Sequence, residues 1–267
     1  MQTKKIYCRR DMKGDFDTFL CGNARAVIYT QHSPTKLAPN QDAAAAFCLD
    51  DNNCVLAVAD GLGGMPKGDK ASEIAMHSLL NVLTSKLNNN LRDKLIDGIE
   101  HANKEILDLG VGAGTTIACA EISNNILRPY HVGDSIILVV GQRGKIKLYT
   151  TPHSTVAYAI KAGVISEEEA MHHSQRHIVL NSAGHAGMHI EIGSPLKLAK
   201  YDTVLLASDG LLDNFYIHEI IELIRKGPLD KIANSLIHIC ADRMHGRIEG
   251  APSKPDDLTF ILYRCSR

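Results

Sequence analysis

The stretch VLAVADGLGG, Val55 to Gly64, decides how the rest of the chain is read. Val55 to Ala59 is an unbroken apolar run, as expected of a short strand covered on both faces. Asp60 stops it. Gly61, Gly63 and Gly64 follow without Cβ atoms, so the backbone there can take positive φ and expose its carbonyls and amides. A carboxylate fixed at the end of a rigid strand suits a hard metal ion. Taken alone, Asp60 reads more simply as an acidic hairpin turn. The metal reading gains weight because the same junction recurs along the chain.

Upstream, Gln41 to Asp50 begins with Asp42, and Asp50-Asp51-Asn52-Asn53 turns it back into the Val55 strand through residues that tolerate left-handed backbone. That hairpin sets Asp42 and Asp60 at one end, within reach of one ion. ARAVIYTQ, Ala24 to Gln31, reads as a strand before it, and residues 1–22 read as an extension or a first edge element. Downstream, Ile74, Ala75, Leu79, Leu80, Leu83 and Leu87 recur at helical spacing from about Asp69 to Leu87, and a second helix runs from about Leu91 to Leu109.

The period then changes. GTTIACAEI, ILRPYHV, SIILVV and KIKLYT are four short β runs broken by Asn124-Asn125, Gly133-Asp134 and Gly141 to Gly144, and their layout predicts an antiparallel meander. In DTVLLASDGLLD, Asp202 to Asp213, the strand Val204 to Ala207 ends at Asp209 and turns at Gly210. Helices are expected over about Tyr216 to Arg225 and Leu229 to Met244, broken by Gly227-Pro228. Asp256 and Asp257 open a last strand, Leu258 to Tyr263. Strands, helices and strands again argue for an α+β layered domain rather than a βαβ repeat. With no linker long enough to divide it, 23–267 is expected to be one domain.

Composition narrows the partners. Twenty-nine basic residues against thirty acidic ones, net charge −1, give no reason to expect nucleic acid or an anionic membrane. No run approaches the length of a membrane span, and a cytoplasmic location is expected. Seven cysteines without a CxxC pair read as buried or incidental thiols in a reducing compartment. Six of the thirteen histidines (His153, His172, His173, His177, His185 and His189) fall in the polar segment 152–190. Without an HExxH arrangement they are read as a mobile surface subdomain rather than a metal site.

The acids at strand ends are Asp42, Asp60, Asp134, Asp209, Asp256 and Asp257. A donor set of oxygens alone suits Mg²⁺ or Mn²⁺; zinc would want His or Cys. So many carboxylates sharing a pocket would protonate unless divalent cations removed the conflict. Two ions bridged by one carboxylate would activate a shared water and clamp a phosphoryl oxygen.

NQDA (Asn40 to Ala43), DGLGG (Asp60 to Gly64), GDKAS (Gly68 to Ser72), GAGTT (Gly112 to Thr116), VGDS (Val132 to Ser135), SDGLLD (Ser208 to Asp213) and PDDLT (Pro255 to Thr259) stand in the order found in metal-dependent protein serine/threonine phosphatases of the 2C type. The chain resembles that family, in its bacterial form, over roughly residues 20 to 265. GVGAGTT also superficially suggests a nucleotide loop, but it lacks both the third glycine of a dinucleotide fingerprint and the lysine of a P-loop.

The resemblance implies a four-layer αββα sandwich, two antiparallel sheets flanked by helix pairs, with two Mn²⁺ or Mg²⁺ ions in a cleft at one end and residues 152–190 as a flap beside it. Asp60 would bridge the two ions and Gly61 would add its carbonyl. Asp209 and Asp256 would hold the first ion, Asp42 would lie near the second, and Asp134 would help hold a third, weaker one. Asp60, Asp209 and Asp42 are then the expected catalytic set. The implied reaction is hydrolysis of phosphoserine or phosphothreonine on proteins, products of a cognate serine/threonine kinase, by a monomeric enzyme.

Departures from the family pattern matter. Leu37 stands where an arginine usually grips the substrate phosphate, with Lys36 beside it; Lys67 is a second candidate. Either lysine would offer a point charge without the bidentate fork. Ile136 and Pro152 replace an arginine and an acid, and Leu62 is apolar where eukaryotic members carry histidine. These changes motivate two alternatives, a pseudophosphatase acting as a binding or regulatory module and a phosphatase of small phosphate esters.

Overall fold

The computed structural model describes residues 5–9, 11–12, 15–37, 39–85 and 90–265. In chain order these form β1 (Lys5–Arg9), β2 (Asp17–Cys21), β3 (Ala24–Gln31), β4 (Asp42–Cys48), β5 (Asn53–Asp60), α1 (Gly68–Thr84), α2 (Leu91–Asp108), β6 (Ile117–Ser123) and β7 (Ile126–Val132). Then come β8 (Ile136–Val140), β9 (Ile146–Tyr149), α3 (Thr155–Lys161), α4 (Glu167–Met171), β10 (Glu191–Ile192), β11 (Leu196–Lys197) and β12 (Thr203–Ala207). The chain closes with α5 (Asp209–Leu212), α6 (Ile217–Ile224), α7 (Leu229–Met244) and β13 (Leu258–Cys265). The expected last turn of the first helix, through Leu87, lies outside the described residues.

One sheet runs β1-β4-β5-β6-β7-β10, with β11 also on β7; the other runs β2-β3-β13-β12-β8-β9. Every pairing is antiparallel. The strand period of two sorts the core into layers. On β4 and β5, Ala44, Ala46, Leu56 and Val58 face the second sheet, while Ala45, Phe47, Val55 and Ala57 face α1 and α2. The second sheet packs its outer face, with Tyr29, Leu205 and Phe260, under α5, α6 and α7. The result is the expected αββα order of layers. Each fully buried Leu or Ile in it contributes roughly 1.5–3 kcal/mol.

Several expectations need correction. The four β runs after α2 are not one meander: β6 and β7 pair in the first sheet, β8 and β9 in the second, and the chain crosses between sheets at Gly133-Asp134. Periodicity specifies a strand but not its partner, and this crossing carries Asp134 to the end of the sandwich. Gly61, Gly63 and Gly64 do not adopt positive φ. Gly61 is needed for close approach instead, since a Cβ there would lie 2.2 Å from the Gly68 carbonyl that opens α1. The Asp50–Asn53 turn also avoids left-handed backbone, because the Asp50 carboxylate accepts from the Asn52 and Asn53 amides at 2.8 and 2.9 Å. Asn124 and Asn125, at φ 51° and 62°, do make a left-handed turn.

The cysteine reading is also corrected. Cys21 and Cys48, on strands of opposite sheets, form a disulfide across 5.3 Å between Cα atoms, whereas Cys54, Cys119, Cys240 and Cys265 are buried outside that bridge. Their separation of 27 residues carries no local pattern; only the stacking of sheets brings them together.

Candidate active site

The strand ends converge at one edge of the sandwich. In the β4–β5 hairpin Asp42 and Asp60 are direct register partners. The Asp60 carbonyl accepts from the Thr116 amide at 2.8 Å and the Thr115 hydroxyl at 2.9 Å, and its own amide donates to Thr116 Oγ1. Thr116 Oγ1 lies 2.6 Å from Ser135 Oγ, which ties this bracket to the turn bearing Asp134. The Gly61 amide donates to the Gln41 carbonyl.

From the second sheet, the Ser208 hydroxyl donates to Asp42 Oδ2 at 2.8 Å and the Ser208 amide to the Thr259 carbonyl. Asp209 begins α5 rather than a simple turn, and Gly210 packs so tightly on β13 that a Cβ would lie 1.8 Å from the Asp257 carbonyl. Asp257 also lines the cleft, but both its carboxylate oxygens are engaged, accepting from the Ser33 and Gln41 amides at 2.7 and 2.8 Å. It is a clamp on the loop leading into Asp42. Asp60, Gly61, Asp134, Asp209 and Asp256 line an open cleft of about 510 Å³, and Asp42 is buried beneath it.

Crowding shows in the charge states. Burial and then the neighbouring Asp257 push Asp42 well above the usual carboxylate range. Burial, Asp42 and Asp209 do the same to Asp60. Asp134 is pushed up to about 7 by burial and by Asp209. Asp209 behaves oppositely: burial pushes it up, but the Lys254 ammonium at 3.1 Å outweighs that and holds it low. Among the described residues Asp42 Oδ1 is buried with no hydrogen-bond partner. A lone anionic oxygen in that position is costly unless a cation or ordered water meets it. Together with a donor set made only of oxygens, it fits a magnesium or manganese centre.

The sequence profile described as protein phosphatase 2C matches residues 31–241. The chain belongs to the protein phosphatase 2C family. It is 32% identical over 201 residues to the serine/threonine phosphatase stp of Listeria monocytogenes, covering 70% of this chain and 77% of the relative. Stp1 of Staphylococcus aureus, a solved structure, superposes with a TM-score of 0.77 at 28% identity over 90% of this chain and 94% of that one. The PstP catalytic domain, 22% identical with a TM-score of 0.72, shares the fold and was solved with two manganese ions; it covers 97% of its own chain and 90% of this one. The present chain is therefore a serine/threonine protein phosphatase, an enzyme, and the relatives do not favour the binding-module alternative.

In this phosphatase Lys36 reaches the cleft and pairs with Asp256, while Leu37 is fully exposed beside it. Lys67 is the exposed N-cap of α1, at φ 55°, and does not line the cleft. Leu62 does line it, as do His177, Ile178 and Val179 of the flap segment. Sequence reading missed Lys254, which pairs with Asp209, Asp213 and Asp256. The signal available was a lysine two residues before a strand-opening acid.

Part of the histidine-rich segment is firmly built in rather than a mobile surface. His153 is buried and stacks on His131 with ring centroids 4.4 Å apart. With Glu191 they form a trio whose ligand atoms lie within 4.8 Å of one another. Hydrogen bonding argues against an ion there. His153 Nδ1 accepts from the Gly133 amide at 3.1 Å and the Asn181 side-chain amide at 2.9 Å. The Asn181 amide group is itself fixed, donating to the His189 carbonyl and accepting the His189 N–H. The ring proton of neutral His153 must then sit on Nε2, facing Glu191 Oε2 at 3.1 Å, with no lone pair left for a metal. His153 instead pins the flap to the turn that carries Asp134.

Proposed function

We propose that the acid cleft is the metal centre through which this phosphatase hydrolyses phosphoserine and phosphothreonine on proteins. The observation that carries the reading is the buried, unpartnered Asp42 Oδ1 beneath Asp60, Asp134, Asp209 and Asp256. Asp60, Gly61, Asp209 and Asp256 would hold two Mn²⁺ or Mg²⁺ ions, with Asp42 beside the second and Asp134 toward a third, weaker one. When bound, such ions supply Lewis acidity toward the phosphoryl group and an activated water.

The chain's own residues do the rest. The Thr115 and Thr116 bracket fixes the end of β5, so Asp60 is presented without rearrangement. Ser208 holds one oxygen of Asp42 and leaves the other free. Lys36 offers the cleft an ammonium for substrate phosphate, in place of the arginine absent at Leu37. Lys67 is a weaker candidate because of its exposed position. The proposed substrates are products of a cognate serine/threonine kinase in the cytosol, where ATP-dependent kinases work, and the proposed unit is a monomer.

The test is hydrolysis of a phosphothreonine peptide and of an aryl phosphate, with Mn²⁺, with Mg²⁺ and with chelator, beside Asp209→Asn. Metal-dependent turnover abolished by the substitution supports the assignment. Full turnover by Asp209→Asn at matched metal concentration overturns it. Preference for the aryl ester by orders of magnitude would favour small phosphate esters instead.

A further inference from the structure

The acid cluster contains its own cation. Lys254 Nζ lies 3.1 Å from Asp209 Oδ2 and 3.5 Å from Asp256 Oδ2, and it makes its shortest contact with Asp213 Oδ2. This lysine is not a loose surface side chain. Its amide donates to Asn214 Oδ1 at 3.0 Å, and its carbonyl accepts from Asn214 Nδ2 at 2.8 Å. Asn214 is fully buried and also donates to the Gly210 carbonyl, one residue beyond Asp209. The backbone that launches Lys254 is thereby locked to the turn that presents Asp209.

We propose that Lys254 is a built-in counter-cation that competes with the metal ion for Asp209 and Asp256, with Asp213 as its alternative partner. This inference rests on the metal-centre reading above. A hard divalent ion held by Asp209 and Asp256 sits about 2.1 Å from their oxygens. An ammonium hydrogen-bonded to the same two carboxylates would then lie close to it, in a partly buried site where like charges repel strongly. Metal entry therefore requires Lys254 to give up Asp209 and Asp256, and Asp213 keeps it neutralised nearby. Asp213 has no other ion-pair partner among the described contacts. The arrangement keeps the metal-free cluster charge-compensated and raises the metal concentration at which the enzyme loads.

The experiment is calorimetric titration of Mn²⁺, without substrate, into wild type, Lys254→Met and Lys254→Arg. Lys254→Met, which keeps the length and removes the charge, is expected to bind Mn²⁺ at least about tenfold tighter. Lys254→Arg, which keeps the charge, is expected to stay within a few-fold of wild type or bind more weakly. Equal or weaker binding by a folded Lys254→Met overturns the inference and leaves the metal-centre reading standing. Absence of Mn²⁺ binding by all three proteins overturns both.

Should Lys254→Met fail to fold, wild type with isotope-labelled lysine side chains gives an independent readout. Diamagnetic Mg²⁺ is expected to shift the Lys254 ammonium resonance, assigned by its loss in Lys254→Arg. A Lys254 resonance unmoved at saturating Mg²⁺ overturns the inference.

Discussion

The two sheets treat their acids in opposite ways. Asp42 and Asp60, on the hairpin of the first sheet, face each other with no lysine or arginine paired to them among the described residues, and both carboxyls are pushed upward by burial and by like charge. Asp209, at the end of β12 in the second sheet, is met by Lys254 and held low; Asp256 is met by Lys36 and Lys254. The chain compensates one half of the cluster internally and leaves the other half without a paired cation among the described residues. An acid pattern alone therefore does not say how strongly a site needs metal; the placement of lysines does.

The largest effect is expected at Asp60. Asp60→Asn removes the acid proposed to bridge the two ions and is expected to lower peptide hydrolysis about a thousandfold, on the order of several kcal/mol in barrier. Steady-state rates at saturating Mn²⁺ check this, and a loss below tenfold would mean that Asp60 is not the shared ligand.

Next in size is the junction that presents Asp209. Gly210→Ala would drive a Cβ into the Asp257 carbonyl, and a destabilisation of about 3 kcal/mol or more is expected. That corresponds to a melting temperature lower by roughly 6–12 °C, readable by thermal denaturation. An unchanged midpoint would show that β13 gives way freely.

Asp134, on the crossing between the two sheets, gives the cluster a pH dependence. Its folded value of about 7 exceeds the unfolded carboxylate value near ~4. The folded chain therefore holds the extra proton between those limits, and ionised Asp134 costs metal-free stability progressively as pH rises through that window. Without metal, Asp134→Asn is expected to raise the melting temperature above wild type by several degrees at pH 8 and by much less at pH 4. A gain that shrinks with rising pH would contradict the crowding of acids around Asp134.

Smaller effects are expected from the lysines at the rim. Lys36→Met is expected to raise KM for a phosphopeptide about tenfold, in line with loss of one charge-assisted hydrogen bond. Lys67→Ala is expected to change neither KM nor stability measurably, within about 0.5 kcal/mol. Reversal of that order would move the phosphate grip to the α1 end of the cleft.

The hairpin was legible in the sequence because a period of two and a short turn fix register, which alone sets Asp42 opposite Asp60. The helices at Leu91–Asp108 and Leu229–Met244 were legible for the same kind of reason, a clean apolar period. What was hidden depends on contacts between distant segments. The crossing of β7 to β8 between sheets turns on strand partners, which periodicity does not encode. Lys254 is set by Asn214, forty residues earlier, through backbone hydrogen bonds invisible in the pattern SKPDD. His153 gains its place from His131, Asn181 and Glu191, none of them its neighbour in sequence.

The most direct measurement is anomalous diffraction at the manganese edge from crystals grown with Mn²⁺. Two strong peaks are expected in the acid cleft, both about 2.1 Å from the Asp60 carboxylate, with one also against Asp209 and Asp256. Manganese bound instead at His131, His153 and Glu191, with the acid cleft empty of metal, would contradict the metal-centre assignment.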